Sequence, residues 1–409
     1  MATHYFASHG GGIEIVAGHL FREFAASGQE VVWIATDATP PPEATQFARV
    51  VSLRAANFVE RKIGLPFPIP TLKALRELRR EVKDADVVII HDCLYLTNIA
   101  AYLFAQLAGI PIIIIQHIGI VPYSNRVLRE VMKLANAVFT KNMLKGAAQT
   151  VFISEITKRY FNGVHYRVPP VVVFNGVDTS VFQPRASQDE KTDLRRRFEL
   201  PPNSPVVLFV GRFVEKKGLS LFQRMVARAP QFTWAFAGWG PMDPREWHAG
   251  NVHVFSDLRD SRLADLYRAS DVFALPSTGE GFPLVVQEAL ACGLGVVCTA
   301  ETATADPALE RIVRAVELKT SDPEESASKF LAAIQDQIDL EASAGDRTAE
   351  RRGFVLTHYS WHTAAQQYLN IALHLSDGTG YSASQSSGNE PVKASTAGRT
   401  SAGPHGASL

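Results

Sequence analysis

Four side chains in the second half of the chain stand at spacings that suit an anionic, hydroxyl-rich ligand. Glu280 and Glu288 are separated by seven residues within PSTGEGFPLVVQEALACG, 276–293. Pro283 falls between them, where a helix would begin, a position whose amide would be unpaired in any case. The free amides that follow, at Leu284 and Val285, form an anion site reinforced by the helix dipole. Carboxylates aimed at that anion would repel it, so Glu280 and Glu288 read as acceptors for hydroxyl groups on either side. In VVLFVGRFVEKKG, 206–218, a strand ends at Gly211 and is followed by Arg212 and Lys217. Two cations there suit a diphosphate, arginine through forked hydrogen bonds and lysine as a point charge. Taken singly, each glutamate is more ordinarily a solvated residue and the cations an ordinary surface loop. Together they describe a nucleotide-sugar pocket.

The elements that must hold these residues are legible in the hydrophobic pattern. Apolar, β-branched runs at 4–7, 30–36, 86–90, 111–117, 150–154 and 170–174 alternate with helical stretches. After a polar, Pro-containing segment the alternation restarts, with strands expected at 205–211, 232–238, 251–256, 271–277 and 294–300. Continuous rather than alternating apolar strands point to parallel sheets covered on both faces. Two such α/β domains place a cleft between two sets of strand carboxyl ends, where open sheets bind ligands. The division reads as 1–183 for the first domain, 184–204 for a linker and 205–358 for the second domain. A last helix over 359–375 crosses back, and a tail follows over 376–409. That tail has eight Ser, six Gly and almost no large apolar residue, so it is expected to be disordered.

Composition excludes several other classes. The chain has 409 residues, 46% of them apolar and 20% charged, which is an ordinary globular balance. Lys plus Arg and Asp plus Glu both number 41, so a dedicated nucleic-acid binder is not expected. Three scattered cysteines, Cys93, Cys292 and Cys298, read as buried thiols rather than a disulfide framework. The start lacks the pattern of a signal peptide, and the most apolar run, 108–121, is too short to span a bilayer. A cytoplasmic protein is expected. Residues 48–83 carry nine basic and three acidic side chains around LPFPIP, which makes this edge a candidate contact with the inner face of a membrane. A helix packed on the sheet with a solvated outer face is the blander alternative.

With GGGIEIVAGHL near the start, FNGVDTSVFQP at 174–184, GRFVEKKG, FAGWGP at 236–241 and LYRASDVFALPS at 266–277, the chain resembles the retaining GT-B glycosyltransferases of family 4 over about residues 5–375. The resemblance implies a GT-B fold, with two Rossmann-like, doubly wound parallel-sheet domains facing across a cleft. It implies a hexosyl-type transferase that moves a sugar from a nucleoside-diphosphate donor to a sugar or lipid-linked acceptor with retention at the anomeric carbon. No metal or other cofactor is expected. By the same resemblance, Arg212 and Lys217 would hold the diphosphate, Glu280 the donor sugar and Glu288 the ribose. Backbone amides over Phe282, Pro283, Leu284 and Val285 would complete the contacts, with Gly211 beside them. Gly11 and Gly12 would let the first domain's loop approach the diphosphate, and His117 would face the donor sugar. Trp239 departs from the small or acidic residue usual in FAGWGP, Gly295 from a common proline, and AETATADP from a glycine pair.

Two further signals carry less. Asp84-Ala-Asp86 mimics a metal-binding D-x-D, yet it lies where a helix enters a strand. Gly10–Gly12 after a first strand would suit a dinucleotide fold, but Ile15 stands where the fingerprint needs glycine. The competing functions are a GT-B nucleotide-sugar epimerase and a non-catalytic nucleotide-sugar-binding module.

Overall fold

The computed structural model describes residues 1–58, 68–119, 126–280, 282–319, 321–343 and 347–377. The first half of LPFPIP, 65–67, and the tail from 378 onward lie outside the described residues. Among the described residues fourteen strands form in chain order. They are β1 (Val31–Thr36), β2 (Ala48–Leu53), β3 (Ala55–Ala56), β4 (Ile69–Pro70), β5 (Val88–His91), β6 (Ile112–Gln116), β7 (Gln149–Phe152), β8 (Val171–Val172), β9 (Val206–Val210), β10 (Thr233–Ala237), β11 (Val252–Phe255), β12 (Val272–Leu275), β13 (Gly295–Thr299) and β14 (Arg314–Val316).

The second sheet runs β11-β10-β9-β12-β13-β14 and every pairing in it is parallel. Strand order reverses between β9 and β12, so their carboxyl ends open the crevice where such sheets take ligands. In the first sheet β5, β6, β7 and β8 lie side by side, and β1 pairs with β2. Residues 1–4 close the gap between β1 and β5. The Ala2 amide donates to Ile89 O at 2.8 Å and the Thr3 amide to Ile34 O at 3.1 Å. The strand expected at 4–7 therefore falls three residues earlier, and Ala7–His9 is a short 3-10 turn. Order also reverses across this segment, so the first sheet has a switch point of its own.

Burial is complete along the central strands, where β6, β9, β10 and β13 have no partly exposed residue, whereas the edge strand β11 is half-buried. One apolar core gathers residues from Val177 to Tyr359 around the second sheet. Another joins Phe6, Leu20, Trp33 and Ile113 to Trp361, Ala364, Tyr368 and Ile371 of the helix Trp361–Ser376. That helix packs beside the helix Gly12–Ala26, with Trp361 stacked on His19 at 4.5 Å. The two chain passages between the sheets meet. Val177 N donates to Tyr359 O at 2.7 Å, and a Cβ on Gly176 would lie 2.6 Å from the Trp361 Cα.

The expected linker, 184–204, is largely a docked helix, Gln188–Arg197, capped by the Ser187 hydroxyl. Two of its charged residues, Lys191 and Arg195, turn inward. Arg195 is buried and donates to Ala269 O at 3.0 Å and Pro202 O at 2.7 Å; Arg195 and Lys191 both pair with Asp271. Composition alone reads such residues as solvated, and Asp271 is the partner that overrules it. In the basic edge 48–83, the helix Leu72–Lys83 buries Ala74, Leu78 and Val82, while Leu72 is exposed. Glu81 is buried there and takes both Arg49 and Arg80, so part of this charge is spent within the fold. All three cysteines are buried and unpaired.

Candidate active site

Three loops lock together at the carboxyl ends of β9, β10 and β12. After β9 the chain leaves through Gly211, whose amide donates to Ala237 O at 3.0 Å. The Phe213 amide donates to Trp239 O at 2.8 Å, and the Met242 amide returns to Phe213 O at 3.1 Å. Gly238 has φ +152°, and a Cβ there would fall on the Gly211 carbonyl; at Gly240 it would fall on the Phe213 backbone. A short turn, Glu215–Lys217, then ends at Gly218, which starts the helix Leu219–Arg228. The Thr278 amide donates to Lys216 O at 2.9 Å, tying the cationic loop to the acidic one.

That tie brings two of the expected residues into contact. Lys217 Nζ lies 3.0 Å from Glu280 Oε1, with Lys216 Nζ at 3.8 Å, and neither Lys217 nor Glu280 is more than one-sixth exposed. Arg212 is on the same loop but exposed, and its guanidinium lies over the Trp239 ring at 4.9 Å. Pro283 precedes rather than opens the helix, which runs Leu284–Ala291. The amides at its start, Leu284 and Val285, have no intrahelical acceptor. Phe282 is buried and touches Phe174 and Tyr359, with ring centroids at 5.6 and 5.2 Å, so this loop is anchored to the passage between the sheets.

Glu288 accepts a hydrogen bond from the Tyr267 hydroxyl at 2.9 Å. Burial pushes its carboxyl up to about 7, although the Tyr267 bond pulls the other way. A carboxyl raised in this way keeps its proton in the folded chain while the unfolded chain loses it near the ordinary value of 4.5. The favourable contribution is thus complete below about pH 4.5 and is lost as pH rises through about 7. Glu288→Gln removes this slope. Its urea midpoint, relative to that of the parent chain, is expected to rise between pH 5 and pH 8; parallel curves would show Glu288 to be ionised throughout.

His117, Gly11 and Gly12 belong to the first sheet. Among the described residues none of them makes a hydrogen bond or ion pair with the second-sheet loops. His117 belongs to a buried polar cluster instead, while Gly11 is half-buried and Gly12 exposed. His117 Nε2 lies 3.2 Å from His91 Nδ1, and burial lowers both rings, His117 to about 3, so both are neutral near pH 7. Asp92 follows His91 with φ +66°. Its carboxyl accepts from the Gln116 amide and from the Cys93 amide at 3.3 Å, and burial pushes it up to about 7. Asn98 bridges the carbonyls of His91 and Asp92 at 2.6 and 2.9 Å. Glu14, raised by burial, folds back over the glycine loop, so that a Cβ on Gly11 would strike its carboxylate. A Cβ on Gly12 would meet no heavy atom within 4 Å.

Asp92, His91, Gln116 and Glu14 are thus candidate residues that sequence reasoning missed. The signal was present: two apolar runs, VVIIHD and IIIIQH, each end in polar residues at a strand's carboxyl end. No group of three or more His, Cys, Asp or Glu able to hold a metal occurs among the described residues. No described helix is long and apolar enough to cross a membrane.

Two facing α/β sheets with the binding loops at their switch points define a GT-B glycosyltransferase, and known structures agree. Sucrose-phosphate synthase from Thermosynechococcus elongatus superposes with a TM-score of 0.68 at 22% identity, covering 90% of this chain and 94% of that one. HepE from Anabaena, solved with UDP and glucose, gives 0.65 at 15% identity, covering 90% and 97%. The family described as Glycosyltransferase Family 4 matches residues 10–181, and Glycosyl transferases group 1 matches 204–336. The chain belongs to this glycosyltransferase family. Among its relatives is the D-inositol 3-phosphate glycosyltransferase of Xylanimonas cellulosilytica, 28% identical over 88% of this chain and 91% of the relative. Another is the N,N'-diacetylbacillosaminyl-diphospho-undecaprenol alpha-1,3-N-acetylgalactosaminyltransferase of Campylobacter jejuni, 22% identical over 81% and 89%.

Proposed function

We propose that the chain transfers a hexosyl-type sugar from a nucleoside-diphosphate donor to a hydroxyl of a glycan, lipid-linked or small-molecule acceptor, with retention of anomeric configuration and without a metal. The observation that carries this reading is the Lys217–Glu280 pair, held at 3.0 Å on the loop that leads into the helix Leu284–Ala291. In this reading the pair supplies a cation and a hydroxyl acceptor next to the start of that helix. The relative named for a diphospho-undecaprenol acceptor supports the lipid-linked option, and HepE, solved with UDP and glucose, supports the donor class.

In this reading 205–358 takes the donor, while 1–183, braced by the helix over 359–375, takes the acceptor. The bond from the anomeric carbon to the diphosphate oxygen breaks as the bond to the acceptor oxygen forms on the same face. The acceptor's proton passes to the departing phosphate oxygen. Negative charge grows on the diphosphate, where Lys217, Arg212 and the amides at Leu284 and Val285 stabilise it. Arg212 must leave the Trp239 ring to do so. Glu280 orients the sugar hydroxyls and Glu288 the ribose, with Phe282 and Pro283 shaping the loop. His117 and the glycine loop at Gly11 and Gly12 close the site from the acceptor side.

A thermal-shift screen of nucleoside diphosphates and their sugars tests the donor. A ligand at about 100 times its Kd stabilises by about 2.7 kcal/mol. The stabilising donor, incubated with candidate acceptors, is then expected to release nucleoside diphosphate only when an acceptor is present, and to give a product with the donor's anomeric configuration by NMR. Epimerised donor in the absence of acceptor, or no response to any nucleotide sugar, would overturn the reading.

A further inference from the structure

The first sheet carries an outer face that its own fold does not use. The helix Leu96–Ala108 connects β5 to β6 and contains no charged residue, although Leu103 is 53% and Leu107 80% exposed. The next connection, β6 to β7, runs through the helix Arg126–Ala135, a π turn over Asn136–Thr140 and the helix Lys141–Gly146. It exposes Val131, Leu134, Val138 and Phe139. Residues 131, 134 and 138 recur at helical spacing, so they make one stripe.

The two connections form a single surface. Both are crossovers between neighbouring parallel strands, advancing in the same direction, and right-handed connections put them on one side of the sheet. They touch where the Gln106 side chain donates to Gly146 O at 2.9 Å. Lys133, Lys141 and Lys145 are exposed along the second connection. Over 126–145 the sequence carries five basic residues against one acidic. The run begins shortly after His117, and Ile118 and Tyr160 extend the exposed apolar area toward that histidine.

Apolar side chains fringed by lysines fit a bilayer surface, where the chains enter the acyl boundary and the cations meet anionic headgroups. A protein partner fits less well, because lysine is depleted at protein interfaces. A second copy would, in a two-fold arrangement, bring these lysines against their own equivalents. We propose that the face formed by 96–108 and 126–146 docks this enzyme on an anionic lipid surface. The docking rests on this surface alone. Its use rests on the functional reading above: it would hold the His117 side of the cleft toward acceptors presented at that surface.

Flotation of the full chain with phosphatidylcholine vesicles, with and without phosphatidylglycerol, tests this. The chain is expected to float with the anionic vesicles only, and less at high salt. Each lysine near the surface contributes on the order of a fivefold change in partitioning, so changing Lys133, Lys141 and Lys145 to glutamine weakens binding about a hundredfold. Leu134→Glu with Val138→Glu abolishes it, while Leu356→Glu, exposed on the other lobe, leaves it unchanged. Stabilisation by the donor, measured on the same variants, shows that they are folded, and it reads the functional proposal separately. A chain that binds donor but floats with neither vesicle overturns the docking and leaves the function standing. So does vesicle binding that survives the paired glutamates. So does a dimer dissolved by Leu134→Glu in a chain that ignores vesicles, which would assign the face to a second copy.

Discussion

Lys217→Ala is expected to lower turnover by about 10²–10³, or roughly 3–4 kcal/mol, while the chain stays folded. Lys217 ends a three-residue turn whose backbone is fixed from both sides: its own amide donates to Val214 O at 3.0 Å, and Lys216 O accepts from Thr278. The ammonium is therefore delivered to one place, beside Glu280, before any ligand arrives. Cations held in position cost little reorganisation when charge develops, and the effect falls on the transition state more than on the bound donor. The loss should appear in kcat rather than KM. Glu280 keeps Lys216 at 3.8 Å as a weaker neighbour, so the variant is not left with a stranded carboxylate. Steady-state kinetics beside a melting curve provide the check. Unchanged turnover in a folded variant removes Lys217 from the reaction.

Gly218→Ala is expected to cost about 2–4 kcal/mol of stability and to take donor binding with it. Gly218 has φ +80°, a left-handed conformation that a side chain strains by about 1 kcal/mol. A Cβ there would also lie 2.5 Å from the Pro276 carbonyl oxygen and 3.0 Å from the Pro276 Cβ. Both contacts belong to the strand end that launches the acidic loop, so relief requires that loop to move away from Lys217. Gly10→Ala is the control. It has the same φ, yet no heavy atom lies within 4 Å of its Cβ position, and only the strain of about 1 kcal/mol is expected. Denaturant midpoints and donor titrations of the two variants should differ accordingly; equal losses would mean that the Pro276 contact relaxes without consequence.

The chemistry of the second lobe was more legible than that of the first, for a physical reason. Arg212, Lys217 and Glu280 sit on loops and turns, where charge stands out against the apolar strands that precede them, and Glu288 lies on the helix that follows. In the first lobe the polar residues are fused to the strands themselves. His117 was noticed because it closes PIIIIQH, but Asp92 closes a run of the same kind and owes its role to a left-handed backbone and to Gln116 on the neighbouring strand. No spacing along the chain encodes that neighbour. The docked helix 188–197 was hidden likewise: its lysine and arginine look solvated until Asp271, distant in sequence, is seen to receive them. The first strand was displaced by three residues because its place is set by backbone bonds to β1 and β5, which pattern alone does not register.

The seating of Gly238 on the Gly211 carbonyl, and of Gly240 on the Phe213 backbone, sets terms for anyone who would re-engineer this enzyme. A segment transplanted from a relative with a side chain at either glycine has nowhere to set it down. Donor preference is therefore to be altered by exchanging 211–218, 238–242 and 276–280 as one cassette, or by leaving all three and working from the opposite wall.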